Sequence, residues 1–177
     1  MTRTSALGGI PALAALLPLV LALLVGSCSR GPSRGEVRKL DEYALTVETP
    51  VGWTGGGAGG TYEFRSPDGT GRLRIARLDG VVSTAGMKDA QLLSGTGAVP
   101  SGRQLPTSPT KIGTLSAERG RFAASDGRTY DVVAVATPKG VVLFQASVGA
   151  EHATEDAAAV ERLFTGLRQS IQYTGAK

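Results

Sequence analysis

Residues 130–148 read YDVVAVATPKGVVLFQASV. Tyr130–Ala136 and Val141–Val148 are two runs rich in β-branched residues, joined by Thr137-Pro138-Lys139-Gly140. Both runs are apolar at odd and even positions alike. A strand wetted on one side would alternate, so this pattern predicts two neighbouring strands at the centre of a sheet covered on both faces.

Working outward toward the C-terminus, Val160, Leu163, Phe164, Leu167 and Ile171 fall at i, i+3, i+4, i+7 and i+11. That spacing predicts an amphipathic helix with one apolar stripe, which must be buried against the sheet. Thr154 is the expected N-cap, with Glu155 and Asp156 complementing the helix dipole.

Toward the N-terminus, Asp126-Gly127 signals a hairpin, and Leu115–Ala123 is the strand that enters it. Ser94–Pro109 is rich in Gly, Pro, Ser and Thr and reads as an irregular crossing loop. Ala85–Leu93 is a short helix candidate. Arg72–Leu78, Thr61–Arg65 and Tyr43–Val47 read as strands with period-two alternation. Ser66-Pro67-Asp68-Gly69 and Pro50-Val51-Gly52-Trp53 supply turns between them. Gly55–Gly60, GGGAGG, reads as a flexible loop. The expected class is α+β: an antiparallel β-sheet with a C-terminal amphipathic helix and a shorter helix packed on it.

The first 39 residues have a different character. Ile10–Val25, IPALAALLPLVLALLV, is almost wholly apolar, preceded by Arg3. Its length suits the apolar region of an export signal better than a tilted membrane span. Val25-Gly26-Ser27-Cys28 follows: a branched apolar residue, two small residues, then the only cysteine of the chain. This resembles the bacterial lipobox, cut before a cysteine whose sulfur carries diacylglycerol. The expectation is a signal peptide over 1–27 and a diacylglyceryl, palmitate-bearing Cys28 that anchors the chain on the extracytoplasmic face of the cell membrane. Two alternatives stay open. Cleavage without lipidation gives a secreted protein. Retention of the run gives a membrane anchor, and Arg30, Arg34, Arg38 and Lys39 after it then argue for a cytoplasmic domain. Residues 28–39, CSRGPSRGEVRK, read as a flexible tether to a single domain over 40–177.

Charge divides along the same boundary. The chain of 177 residues has a formal net charge of +4. Arg3 and the tether carry all of it, since residues 40–177 hold 14 basic and 14 acidic side chains. The basic character therefore gives no support to a nucleic-acid-binding domain. One cysteine excludes an internal disulfide, and one histidine excludes a multi-histidine metal site in one chain.

The order of strands, turns and terminal helix, carried by Tyr43–Trp53 (YALTVETPVGW), Tyr62–Ile75 (YEFRSPDGTGRLRI) and Thr129–Leu167, resembles the PsbP-like fold. Similar domains occur in actinobacterial-type envelope lipoproteins. The resemblance implies a binding or assembly factor for another envelope component, with a protein as the expected partner, and it transfers no catalytic residue. The competing reading is a carrier of lipid or another small apolar ligand, which needs a roomy cavity between sheet and helices.

No residue pattern points to catalysis, a metal or a cofactor. His152, the only imidazole, stands near Glu151, Glu155 and Asp156 at a helix start, where carboxylates ordinarily serve the helix. Gly31-Pro32-Ser33-Arg34-Gly35 matches G-x-S-x-G but lies in the tether, without the strand and helix a nucleophile elbow needs. The candidate partner-binding residues are Trp53, as a turn anchor, and Arg72 with Arg74. Those two share one face by period two and suit an acidic partner or a phosphate-bearing glycolipid. A solvated outer face and a buried Trp53 are the competing readings.

Overall fold

The computed structural model describes residues 35–175. The expected signal peptide 1–27 with the expected lipobox residues Val25, Gly26 and Ser27, Cys28, and the expected tether up to Arg34 lie outside the described residues. Strands β1 (Val37–Leu40), β2 (Leu45–Glu48) and β10 (Gln172–Tyr173) form a small antiparallel sheet in the order β1-β2-β10. Strands β3 (Thr54–Ala58), β4 (Thr61–Arg65), β5 (Gly71–Leu78), β6 (Pro100–Ile112), β7 (Leu115–Ala124), β8 (Arg128–Thr137) and β9 (Gly140–Gly149) form a seven-stranded sheet in the order β3-β4-β5-β9-β8-β7-β6. The described α-helices are α1 (Asp89–Leu92), α2 (Ala150–Glu155) and α3 (Ala157–Ser170), and a 3-10 turn, Asp41–Tyr43, joins β1 to β2. Strand outweighs helix, so the expected α+β class is corrected to a mainly β fold with one substantial helix. Among the described residues no helix is long and apolar enough to cross a membrane.

The two runs that predicted central strands occupy the middle of the large sheet as β8 and β9, paired from Arg128↔Gly149 to Thr137↔Gly140. Both faces of this pair are covered, which accounts for their continuous apolar pattern. On the helix face, Val133, Val135, Val142, Phe144, Leu73 and Phe64 pack with Val160, Phe164 and Leu167 of α3 and with Leu45 and Val47 of β2. On the opposite face, Val132, Ala134, Leu143 and Phe122 pack beneath Met87, Leu92 and Leu93 of the α1 segment. We call this the loop face.

Several local expectations are corrected. Residues 37–39, read as the end of a tether, are β1. Their pairing from Val37↔Glu48 to Leu40↔Leu45 buries Leu40 completely. The glycine run read as a loop is largely β3, paired with β4. A Cβ at Gly55 would lie 2.0 Å from the Glu63 carbonyl oxygen, and one at Gly57 would lie 1.9 Å from that of Thr61. The close approach of the β4 backbone thus requires glycine there, overriding its poor strand propensity. Only Gly59 and Gly60, both at positive φ, make the turn.

The crossing loop is mostly β6, an edge strand with three register shifts against β7. Pro100, Pro106 and Pro109 are tolerated because an edge strand need not donate every N–H. The terminal helix is two helices broken at Asp156, not one capped by Thr154. Asp156 caps α3 by accepting from Ala159 N at 3.1 Å. Thr154 Oγ1 instead donates to Ala150 O at 3.0 Å within α2.

Candidate functional site

Parity along β5 sorts its side chains. Leu73 and Ile75 point into the helix-face core, so Arg72 and Arg74 project from the loop face. Register then assembles their neighbours. Arg65 pairs with Arg72, and Arg72 with Ser147; Glu63 pairs with Arg74, and Arg74 with Gln145. Strands β4, β5 and β9 therefore place three arginines side by side, with a single carboxylate among them.

These side chains line a cleft of about 90 Å³ together with Gly95 and Thr96, which follow α1. Arg74 is its fixed floor. Its Nη1 donates to Gln145 Oε1 at 2.9 Å and to Ser94 O at 3.2 Å, and Glu63 Oε1 lies 3.9 Å from its Nε. Gln145, almost wholly buried, donates onward to Leu92 O and Ser94 O. Arg74 and Gln145 thus tie the loop after α1 to the sheet. Gly95 lets that loop approach: its φ is +75°, and a Cβ there would meet Arg74 Nη2 at 2.5 Å.

Arg65 and Arg72 are exposed, and among the described residues neither side chain has a hydrogen bond or an ion pair. Behind Ser147 lies Arg128. Its Nε donates to Ser147 Oγ at 3.0 Å, and its Nη2 donates to Thr70 O and to Ser147 O. Burial, and then the nearby positive charge of Arg72, hold the Arg128 guanidinium below its ordinary pKa. Tyr130 closes the far side. Its hydroxyl donates to Asp126 Oδ2 at 2.7 Å. Burial first, and then that bond, push its pKa up to about 12.

The structure separates the third sequence candidate from these two. Trp53 is half-buried and packs on the helix-face core. Its ring lies over Gly71, where a Cβ would come within 2.6 Å of Cζ2. Trp53 and the two arginines are therefore on opposite faces of β5. His152 is on α2, and its carbonyl accepts from Asp156 N. Among the described residues no three His, Cys, Asp or Glu side chains lie close enough together to hold a metal ion.

Sequence reasoning missed Arg65, Arg128 and Ser147, because only strand register brings them beside Arg72. It also missed a second cluster, on the helix face. Asp131 is 2% exposed, and its Oδ2 lies 2.9 Å from Arg119 Nη2, 2.8 Å from Arg121 Nη2 and 3.0 Å from Arg168 Nη1. Arg121 also meets Glu161 at 2.8 Å and lies over the Phe164 ring. Burial pulls the Arg121 guanidinium down, but Glu161 and Asp131 outweigh it and hold it above its ordinary value. The available signal was Asp131 itself, a lone carboxylate inside an apolar strand.

No family model matches the chain. No curated protein matches it either. Among solved structures it is similar to the solution structure of cyanobacterial PsbP (CyanoP) from Synechocystis sp. PCC 6803. The TM-score is 0.55 and the identity 15%, covering 85% of this chain and 99% of that one. Such a likeness at this identity speaks to architecture, and on it the described domain has a PsbP-like fold.

Proposed function

We propose that this protein is a non-enzymatic lipoprotein of the bacterial envelope, of actinobacterial type. It is anchored on the extracytoplasmic face of the membrane through diacylated Cys28 and binds another envelope component through the loop face of its sheet. The observation that carries the binding reading is the pair Arg65 and Arg72, exposed side by side without a carboxylate partner at the mouth of a cleft. Isolated surface charges are ordinary, but adjacent unpaired guanidiniums repel each other and favour an anionic group between them. Guanidiniums also stay charged throughout the physiological range, so they suit recognition better than proton transfer.

Anchoring rests on the sequence around Cys28, and the PsbP-like fold is compatible with an accessory module. The carrier reading has no room in the enclosed gap under α3, among Val47, Phe144, Phe164 and Leu167, which is about 10 Å³, and would have to use the open groove of about 450 Å³ between β6 and the end of α3, lined by Lys111, Ile112, Arg119, Arg168 and Ile171.

The test is crosslinking in the native membrane, followed by identification of what is captured. Cys28→Ala should abolish lipid labelling and release the chain or leave its precursor uncut; unchanged labelling sinks the anchor. Arg72→Glu should abolish the crosslinked product. An undiminished product from Arg72→Glu rules out the loop face as the binding surface.

A further inference from the structure

We propose that the cleft between β4, β5, β9 and the loop after α1 is a site for one phosphate group, held by Arg65 and Arg72 over Ser147. This inference rests on the loop-face binding reading and narrows its ligand chemistry.

Size comes first. The cleft of about 90 Å³ is several times the space one water needs, so a tetrahedral oxyanion fits in it. Charge comes second. Three guanidiniums line the cleft against one carboxylate, that of Glu63, which lies toward Arg74 and is itself more than half exposed. The cleft is thus left with uncompensated positive charge that a phosphate would neutralise. Donor geometry comes third. Guanidinium forks match phosphate oxygens in pairs, and Arg65 and Arg72 have all their N–H groups uncommitted. Ser147 Oγ accepts from Arg128 Nε, which leaves the hydroxyl proton for an incoming oxygen.

The remaining groups hold the site in shape. Arg74 is committed to Gln145 and Ser94, and Arg128 to Thr70 and Ser147, so neither must reorganise when an anion enters. Arg128 is also held below its ordinary pKa partly by Arg72, and an anion beside Arg72 relieves that repulsion.

The probe is inorganic phosphate, titrated calorimetrically into the full chain in a neutral detergent and a chloride buffer. The expected result is saturable binding of one phosphate per chain. Arg65→Ala and Arg72→Ala should each weaken it about tenfold or more, the scale of one lost charged hydrogen bond or fork. Arg72→Lys should be intermediate, keeping the charge without the fork. Arg162→Ala, an exposed change on α3, should leave it unaltered. Glycerol 3-phosphate and a soluble short-chain phosphatidic acid separate the sources. Equal affinities assign a free phosphate compound, and tighter binding of the phosphatidic acid assigns a lipid headgroup.

Absence of saturable phosphate binding overturns the inference, as does binding that survives intact in both alanine variants. If the Arg72→Glu crosslink is lost while phosphate does not bind, the phosphate site alone fails and the loop face stands as a binding surface.

Discussion

The two faces of the large sheet each carry a cluster of arginines, and the clusters differ in what meets them. On the helix face, Arg119, Arg121 and Arg168 converge on Asp131, with Glu161 as a second carboxylate. On the loop face, Arg65 and Arg72 stand exposed and unpaired beside Arg74. The first cluster is closed on itself beneath α3 and joins that helix to β7 and β8. The second leaves positive charge open to solvent. The same residue type thus holds the fold together on one face and leaves a surface free to bind on the other. Burial and carboxylate supply make the difference.

Removing the carboxylate from the closed cluster should have the largest effect. Asp131→Asn leaves three guanidiniums facing one another around a buried amide, and the expected loss is about 3–5 kcal/mol. Denaturant unfolding followed by circular dichroism measures it. A loss under about 1 kcal/mol would show that the cluster does not hold α3.

The next effect comes from the loop that walls the open cluster. Gly95→Ala puts a Cβ against Arg74 at a backbone conformation that disfavours side chains, at an expected cost of about 1–3 kcal/mol. The same variant should weaken the crosslink to the envelope partner, because the cleft wall moves. Unchanged stability together with an unchanged crosslink would separate the loop from the site.

The open cluster itself should be nearly neutral to stability. Arg72→Ala is expected to change the unfolding free energy by less than about 0.5 kcal/mol, with a gain rather than a loss if repulsion of Arg128 dominates. A destabilisation above about 1 kcal/mol would make Arg72 structural and erase the contrast between the faces.

The smallest effect is pH-dependent. Burial pushes the Glu161 carboxyl up, but Arg121, with Thr165 and Arg168, outweighs it and holds the group below its ordinary value. A carboxylate depressed in the folded state contributes stability above its unfolded pKa and loses it as pH falls through the folded value. Stability should therefore decline on acidification from about pH 6 to about pH 3, and slightly less steeply in Glu161→Gln. The group is half exposed, so solvent screens the increment. Identical slopes for the two proteins would remove Glu161 from the closed cluster.

Much of the architecture was legible wherever a local pattern had one physical solution. Continuous β-branched runs at Tyr130–Ala136 and Val141–Val148 could be satisfied only with both faces covered. The stripe from Val160 to Ile171 required a helix against the sheet. Asp126-Gly127 and Ser66–Gly69 were sound turn signals, and each turn closes through the backbone bond expected of it. Misreadings arose where pairing overrode local propensity. Gly55–Ala58 is a strand because β4 lies against it, and Pro100–Ile112 is a strand because it lies at an edge. The helix break at Asp156 turns on which side chain reaches Ala159 N, and both Thr154 and Asp156 are competent caps.

The site was only half legible. Alternation was enough to place Arg72 and Arg74 on one face. It could not show that Arg74 is committed to Gln145 and Ser94, that Trp53 lies on the other face, or that Arg65 joins Arg72.

The sequence by itself determined the central strands, the terminal helix stripe, the neutrality of residues 40–177 and the placement of a lone cysteine after an apolar run. These are properties of spacing and composition along the chain. Tertiary structure decided which arginines find a carboxylate. That depends on strand register and on the packing of α3, which join residues as far apart as Asp131 and Arg168, or Arg74 and Gln145. Charge compensation in a folded protein is settled across strands, and no local pattern encodes the partner.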